Sequence, residues 1–284
     1  MDEIRRIPAQ DVRETVCRLF IEANHCLGCD VERAIESAEG AETESVAKSV
    51  LSSLRENLGV ARALGVPVCQ DTGMAVVFVE LGALVHIEGD TLENAINEGV
   101  RDAYINGKLR LSVVRDPFYY RENTGDNTPA IIHVRCVPGN ELKITAAPKG
   151  FGSENMSRIR MFTPSASESD LVSFVVDAVR SAGSNPCPPI TLGVGIGSDF
   201  EGCAILAKRA LTRDLGTPSP DPRYADLEKR ILREVNALGI GPQGFGGKTT
   251  ALAVHIETAP THIAGLPVAV NINCHVVRHV CAVL

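Results

Sequence analysis

The chain has 284 residues, a net charge of −7 from 28 Lys and Arg against 35 Asp and Glu, no Trp, four Tyr and eight Phe. This length allows one large domain or two small ones, and 44% hydrophobic residues are enough for a substantial core. The acidic balance argues against a nucleic-acid or anionic-membrane partner, because both attract basic surfaces. A small anionic substrate stays compatible with this charge if a local basic pocket exists.

The first 65 residues carry hydrophobic residues at three- and four-residue steps, which predicts amphipathic helices. From Pro67 the pattern changes to strands at 74–81, 130–134 and 141–146, with a helix at 91–104. Further helices are predicted at 168–182, 202–213 and 222–238, and strands near 251–257 and 267–272. This order predicts an α+β fold, and we expect one domain over 1–284 in which 1–65 form a helical subregion.

The N-terminal sequence MDEIRRIPAQ lacks the cationic flank and apolar stretch of a signal peptide, so we expect a cytoplasmic protein. Charged and polar residues interrupt the two most apolar runs, 74–87 and 266–284, so neither predicts a membrane span. The apolar ending HVCAVL would fit a surface that another chain covers. An odd number of cysteines, nine, in a reducing compartment argues against a disulfide framework.

Three glycine-rich segments expose backbone N–H groups and would suit close approach by an anion: KGFGSEN (149–155), LGVGIG (192–197) and GPQGFGGKTT (241–250). The last resembles a P-loop, but Pro242 stands where that motif needs its first glycine. The second lacks the third glycine of a dinucleotide-binding turn, and no βαβ unit opens the chain. We therefore do not expect a nucleotide site.

Most of the cysteines are predicted to be small packing residues. Cys26 and Cys29 form a Cys-x-x-Cys pair, but no second pair with matching spacing completes a zinc site, so we expect core packing or a plain helix-end role for them. Cys17, Cys136 and Cys203 lie within or beside predicted helices and strands, where a buried small hydrophobic residue is the simplest interpretation.

Cys69, Cys187 and Cys274 differ because each interrupts a regular element among turn formers or amides, in PVCQDTG, SNPCPPI and NINCHVV. Such settings put a thiol at a loop tip. Three such ligands could hold an iron–sulfur cluster by three corners and leave one iron open as a Lewis acid. Spacing alone leaves structural cysteines as the leading alternative, and Cys281 is the main competing ligand if it shares a helical face with Cys274.

Six motifs together resemble the α subunit of the two-subunit class I fumarate hydratases, iron–sulfur hydro-lyases that also include L-tartrate dehydratase. In order they are PVCQDTG, NTGDNTPA (123–130), KGFGSEN, NPCPPITLGVGIG (185–197), IGPQGFGGKTTALAVHIE (240–257) and THIAGLPVAVNINCH (261–275). The resemblance implies the fold of the family's cluster-binding domain, and a [4Fe-4S] cluster held by Cys69, Cys187 and Cys274.

The resemblance also implies residues that contact the substrate. Gln70 and Asp71 would approach it, and the Asp71 carboxylate would exchange a proton with it. The alternative for Asp71 is an aspartate that only stabilises its turn. Gly150 and Gly152 would line the pocket.

Two basic residues complete the implied site. Arg110 would bind a dicarboxylate through its planar fork of donors, with Arg115 as its main rival and a solvated loop arginine as the alternative. His262 would orient Asp71 or relay its proton, although a lone histidine is more often structural.

The implied reaction is the reversible hydration of fumarate to (S)-malate, a tricarboxylic acid cycle step. Conversion of L(+)-tartrate to oxaloacetate and a non-catalytic cluster-binding module are the alternatives, and the segments KGFGSENMS and GFGGKTT favour fumarate. The family's β portion, which carries further acid/base and basic residues, is absent from this sequence. We therefore expect the chain to bind the cluster but to need a β subunit for activity, in an α₂β₂ assembly.

Overall fold

The computed structural model describes residues 4–284, which divide into two compact units. The first unit comprises residues 4–27, Ala61–Gly150 and Arg278–Leu284, and the second comprises Gly28–Val60 and Phe151–Val277. Each unit combines helices with a β-sheet, so the predicted α+β fold is confirmed. Within residues 4–284, none of the helices combines the length and apolar character needed to cross a membrane.

The helices and strands follow one another along the chain with these bounds. They are β1 (Arg5–Pro8), α1 (Ala9–His25), α2 (Cys29–Ala41), α3 (Ser45–Leu64), β2 (Met74–Gly82), β3 (Val85–Glu88), α4 (Leu92–Asn106), β4 (Ile131–Val137), β5 (Leu142–Lys149), α5 (Phe151–Glu154), β6 (Arg158–Phe162), α6 (Glu168–Ala182), β7 (Ile190–Ser198), α7 (Phe200–Ala210), α8 (Pro222–Asn236), a 3₁₀ turn (Pro242–Gly244), β8 (Ala251–Thr261), β9 (Leu266–Asn273) and β10 (Val280–Val283).

The first unit is built on a four-stranded sheet in the order β10-β5-β2-β4, in which β2 runs parallel to β4 and antiparallel to β5. Alternate residues of β2, Ala75, Val77 and Val79, are buried in one core with Val12 and Val16 of α1. Helix α4 contributes its apolar face to the same core. This alternation, with a period of two in the strand, matches one buried sheet face.

The last residues of the chain form a strand rather than a helix. Val280, Ala282 and Leu284 lie against the core of the first unit, and β10 pairs antiparallel with β5. The apolar ending is therefore partly covered by its own chain. The helical face predicted for Cys274 and Cys281 is wrong, because Cys281 lies on a strand and is exposed.

The second unit is built on a sheet in the order β6-β9-β7-β8. Helices α6 and α8 pack on one face, where Leu192 and Val194 of β7 meet Val175 and Ile231. Helix α6 begins with a capping box between Ser167 and residue 170 at its third position, which satisfies otherwise unpaired backbone N–H groups. Helix α7 packs on the opposite face.

The glycines of LGVGIG lie on the face of β7 that α7 covers. A Cβ on Gly193 would lie 2.0 Å from the carbonyl oxygen of Ala207, and one on Gly195 would lie 2.2 Å from that of Cys203. These glycines therefore let a helix approach a strand closely. The prediction that this run exposes its backbone to an anion is wrong, because β7 pairs with β8 on one side and with β9 on the other.

The nine cysteines form no disulfide in the structure. Cys203 is buried as predicted, and burial raises the pKa of its thiol to about 11. Cys17 is partly buried. Cys26 and Cys29 are exposed at the ends of α1 and α2, which matches the helix-end role predicted for them. The prediction of a packing residue is wrong for Cys136, which is exposed on the edge strand β4.

Candidate functional site

The Cys-Gln-Asp-Thr-Gly segment forms a loop just before β2 in the first unit. Gly73 is buried with a φ of +78°, and a Cβ there would lie 2.8 Å from the backbone of Lys149, so only glycine fits. The Asp71 Oδ1 atom accepts a hydrogen bond from the Gly73 N–H at 3.0 Å, which closes the turn. Asp71 and Cys69 are partly buried and Gln70 is exposed.

Buried side chains hold the carbonyl groups of residues 71–73. Arg278 Nη2 donates to the carbonyl of residue 71 at 2.9 Å. The Tyr104 hydroxyl lies 2.9 Å from the carbonyl oxygen of residue 72 and 2.8 Å from that of residue 73. Asn127 Nδ2 donates to the carbonyl of residue 73 at 3.3 Å. Burial raises the pKa of Tyr104 well above its ordinary value, which keeps its hydroxyl proton available for donation. Three consecutive carbonyl groups are thus fixed by donors from distant parts of the first unit.

Arg110 adjoins this loop through Thr72. The Thr72 hydroxyl accepts from the Arg110 N–H at 2.9 Å and lies 3.3 Å from the Arg110 carbonyl oxygen. The Arg110 side chain is exposed. The rival Arg115 instead donates from its guanidinium to the Thr124 carbonyl at 3.2 Å. The structure therefore bonds the backbone of Arg110 to the loop that carries Asp71, whereas the side chain of Arg115 contacts Thr124.

The two glycines of KGFGSEN differ in their surroundings. A Cβ on Gly150 would lie 3.0 Å from Asp71 Oδ2 and 3.8 Å from Arg278 Nη2. In the second unit, a Cβ on Gly152 would lie 3.7 Å from the carbonyl oxygen of Asn185, which is an ordinary contact. Gly150 therefore lies beside the proposed acid/base residue, and Gly152 lies beside the loop that carries Cys187.

In the second unit, Cys187 precedes β7 and Cys274 follows β9. These strands are antiparallel, with Thr191 opposite Asn273, so both cysteines lie at the same edge of the sheet. The His275 N–H donates to the Cys187 carbonyl at 3.3 Å, and the His275 Nδ1 atom lies 3.1 Å from the same oxygen. Cys187 is exposed and adopts a φ of +55°, whereas Cys274 is partly buried.

Gln243, in the GPQGFGG segment, connects this pair of loops. Its backbone N–H and its Nε2 atom each donate to the Pro188 carbonyl at 2.7 Å, and Nε2 also lies 3.3 Å from His275 Nδ1. Gln243 adopts a φ of +52°, which is uncommon for a residue with a side chain. The side-chain amide of Gln243 therefore contacts both the backbone of Pro188, next to Cys187, and the side chain of His275, next to Cys274.

His262 lies in the turn between β8 and β9, where it is exposed and its Nδ1 atom accepts from the Ala264 N–H at 3.1 Å. Strand β9, which is eight residues long, separates this turn from Cys274. At ~3.3 Å per residue the separation is about 25 Å. The structure thus places His262 and Cys274 at opposite edges of one sheet.

The P-loop-like GGKTT segment is held by a carboxylate. Glu42 is 3% exposed, and its Oε2 atom accepts from the Lys248 N–H at 2.7 Å. Burial opposes its ionisation, but hydrogen bonds from the N–H groups of Glu44, Lys248 and Thr43 hold the pKa of Glu42 below its ordinary value. The N–H that would face a phosphate in a P-loop therefore faces an acidic side chain.

Sequence reasoning missed Arg278, Tyr104, Asn127 and Gln243 as residues that hold the candidate loops. One signal was present for Arg278, a charged residue inside the apolar run HVVRHVCAVL. Asn127 and Gln243 lie inside two of the six motifs, which do not indicate their partners, and Tyr104 has no distinguishing signal; the loop residues that all three contact are more than 30 residues away in sequence. Across residues 4–284, no three His, Cys, Asp or Glu side chains lie together in an arrangement ready to hold a metal ion.

A family profile described as fumarate hydratase (Fumerase) matches residues 13–283. The chain belongs to the fumarate hydratase family. A relative from Methanocaldococcus jannaschii, "Putative L(+)-tartrate dehydratase subunit alpha", is 40% identical over 269 residues, or 93% of this chain and 94% of the relative. The L(+)-tartrate dehydratase subunit alpha of Escherichia coli O157:H7 is 33% identical over 247 residues, or 86% and 81% of the two chains. The resemblance of the six motifs is confirmed, and this fumarase-family chain belongs to a family of hydro-lyases.

Proposed function

We propose that this chain is the α subunit of an iron–sulfur fumarate hydratase, which interconverts fumarate and (S)-malate together with a β subunit. The observation that carries the proposal is the fixed loop around Asp71, with Arg110 beside it, in a chain of the fumarate hydratase family. A carboxylate in a loop with little freedom suits proton transfer, and an arginine whose backbone is bonded to the same loop carries a side chain that can bind a dicarboxylate.

We propose Cys69, Cys187 and Cys274 as ligands of a [4Fe-4S] cluster. The donor set suits such a cluster, because all three thiols lie in loops and are exposed or partly buried, unlike Cys203. The shared edge and hydrogen bonds of the loops that carry Cys187 and Cys274 support this choice for two of the three. When bound, the cluster would supply an iron without a protein ligand as a Lewis acid for the substrate hydroxyl.

The residues of the chain itself perform the remaining steps in this proposal. In the hydration direction, the hydroxyl of water adds to one olefinic carbon and a proton adds to its neighbour. Asp71 exchanges a proton with the reacting groups, and Gln70 donates from its amide to the substrate. Arg110 binds a substrate carboxylate through two parallel N–H donors. Gly150 leaves space beside Asp71 Oδ2 that a larger residue would fill. We propose Gly152 as a second residue that lines the pocket.

The proposal includes an assembly with further chains. The relatives named above are alpha subunits, which supports a β subunit as partner. Because His262 lies about 25 Å along β9 from Cys274, we propose that it serves a site to which another copy of the chain brings it, in an α₂β₂ assembly. Residues 1–284 would act as one functional domain in the cytoplasm, where thiols stay reduced.

L(+)-tartrate is the second candidate substrate. The names of both relatives support it, at 40% and 33% identity. Tartrate and malate are both hydroxylated four-carbon dicarboxylates, so the same loop and the same arginine suit either. The pocket segments KGFGSENMS and GFGGKTT are the features that keep fumarate as the first choice.

Substrate assays on the assembled enzyme test the proposal. The chain is co-expressed with its β subunit, reconstituted with iron and sulfide under anaerobic conditions, and assayed with fumarate, malate and L-tartrate. We expect fumarate hydration, and no activity from the chain alone. Faster turnover of L-tartrate than of malate would select the second candidate. A fully loaded assembly that turns over neither substrate would instead indicate a non-catalytic cluster-binding module.

A further inference from the structure

Arg278 is a buried cation that joins two parts of the first unit. Arg278 is only 4% exposed. Its Nη1 atom donates to Asn24 Oδ1 at 2.7 Å, and its Nη2 atom donates to the Asp71 backbone carbonyl at 2.9 Å. Asn24 is itself fully buried, and its Nδ2 donates to the Phe20 carbonyl within α1 at 2.9 Å. The backbone carbonyl of Asn24 accepts a hydrogen bond at 2.9 Å from the N–H of Val68, the residue before Cys69. Arg278 and Asn24 therefore hold the two ends of the segment 68–71.

The charge of Arg278 is not explained by an ion pair. Across residues 4–284, Arg278 has no carboxylate partner within salt-bridge distance, and its Nε atom is buried without a hydrogen-bond partner. A buried cation whose hydrogen bonds go to amide and carbonyl oxygens, with no carboxylate in salt-bridge contact, is expensive to keep in the folded state. A neutral donor could satisfy the same two oxygens. The guanidinium therefore points to a role in the site rather than to stability alone.

The position of Arg278 relative to the Asp71 side chain indicates that role. The Cβ position of Gly150 lies 3.0 Å from Asp71 Oδ2 and 3.8 Å from Arg278 Nη2. Arg278 therefore holds the main chain of Asp71 from the same side on which the carboxylate meets Gly150. The other two carbonyl groups of the loop have separate donors, Tyr104 and Asn127. Loss of Arg278 would therefore remove the hydrogen bond to the Asp71 carbonyl, while the hydrogen bonds to the carbonyl groups of residues 72 and 73 remain.

We propose that Arg278 is a positioning residue for the proton transfer assigned to Asp71. It acts through the Asp71 main chain, fixing the direction of the carboxylate without touching the substrate. The inference rests on the proposed role of Asp71, but the restraint that it describes is a property of the chain itself. Catalytic groups must be held within about 0.5 Å of their productive position, and a displacement of about 1 Å can lower a rate about a hundredfold.

Hydrogen exchange of the chain without cluster tests the restraint directly. The reporter is the Gly73 N–H, which is bonded to Asp71 Oδ1 and loses protection when the aspartate moves. Mass spectrometry of peptides that cover 66–74 compares the wild type with Arg278→Met, which keeps the side-chain length without the donors. We expect exchange at Gly73 to be about tenfold faster, while peptides from β2 and β5 are unchanged.

Two further variants keep this test decisive. The lysine of Arg278→Lys can reach one of the two acceptors but not both, so we expect a Gly73 exchange rate between those of the wild type and Arg278→Met. Arg278→Lys also replaces Arg278→Met in the test if the methionine variant does not fold. Arg213→Lys, which changes a largely buried arginine of the second unit, is the matched control and should leave the Gly73 rate unchanged. Unchanged exchange at Gly73 in folded Arg278→Met, or in Arg278→Lys when the methionine variant does not fold, would overturn the proposal.

Kinetics of the assembly with the β subunit test the consequence for catalysis. For Arg278→Met we expect kcat to fall about tenfold to a hundredfold with KM within about twofold, and Arg278→Lys to recover part of the loss. Iron content per chain should equal that of the wild type. A raised KM with unchanged kcat would contradict a positioning role. If the wild-type assembly is inactive, the proposed function fails, but the exchange measurement still decides whether Arg278 restrains Asp71.

Discussion

Gly193→Ala probes the contact between strand β7 and helix α7. The new Cβ would lie 2.0 Å from the Ala207 carbonyl oxygen and 2.9 Å from Leu211 Cγ. Ordinary contact begins at 3.4 Å, so the helix backbone must retreat by about 1.4 Å. Overpacking usually costs ~1–3 kcal/mol when side chains can yield. Because backbone must move here, we expect a loss of about 3 kcal/mol or more in the free energy of unfolding, from a total of ~5–15 kcal/mol.

Gly59→Ala is the matched control, because it adds the same methyl group where no atom lies within 4 Å. Gly59 lies within helix α3, where alanine is favoured over glycine by about 1 kcal/mol. The control should therefore be slightly more stable than the wild type. Urea denaturation of the cluster-free chain under reducing conditions, followed by far-UV circular dichroism, measures both differences.

The result also decides between two roles for the glycine run. Close packing predicts that Gly193→Ala lowers stability and that any loss of activity follows from unfolding. An unchanged free energy of unfolding, with activity lost only through a higher KM, would refute the packing explanation and favour an anion site at LGVGIG.

Two further predictions concern buried carboxylates. The pKa of Glu42 is held below the ordinary value of 4.5, so its ionised form stabilises the fold above the unfolded pKa and this stabilisation disappears as pH falls through the folded pKa. Urea midpoints of the wild type and Glu42→Gln should therefore converge as the pH falls through 4.5 and below; a constant difference across this range would contradict the sign. Arg213→Met leaves Glu228, which is 5% exposed, without its cation and should cost about 3–5 kcal/mol, whereas Arg6→Met breaks an exposed pair and should cost at most about 1 kcal/mol. Equal losses in the two arginine variants, measured by denaturation, would contradict the role of burial.

Much of the fold follows from local pattern. The helix predicted at 168–182 is Glu168–Ala182 in the structure, because a capping box fixes its start and its valines form one apolar stripe. The strand predicted at 74–81 is Met74–Gly82. The sequence analysis does not predict strand β7, although Ile190, Leu192, Val194 and Ile196 alternate in its sequence. The glycines between them suggest a backbone exposed to an anion, whereas they mark the close approach of α7.

Tertiary contacts set the limit of sequence reasoning at the candidate site. The motifs predict a role for Asp71, and the structure shows that the neighbouring Thr72 is hydrogen-bonded to the backbone of Arg110. The contacts of Arg278 with Asn24 and Asp71 join residues 254 and 207 positions apart, which no local pattern can indicate. The exposure of Cys136 likewise depends on β4 being an edge strand, and strand order is a property of the folded chain.

Anaerobic iron and sulfide analysis of cysteine variants tests the central proposal most directly. The wild-type chain should bind about four iron and four sulfide ions. Serine substitutions at Cys69, Cys187 and Cys274 should each remove most of them, whereas Cys29→Ser and Cys281→Ser, at exposed cysteines outside the set, should keep the wild-type content. Full cluster content in all three ligand variants, or loss of the cluster in Cys281→Ser, would contradict the ligand assignment.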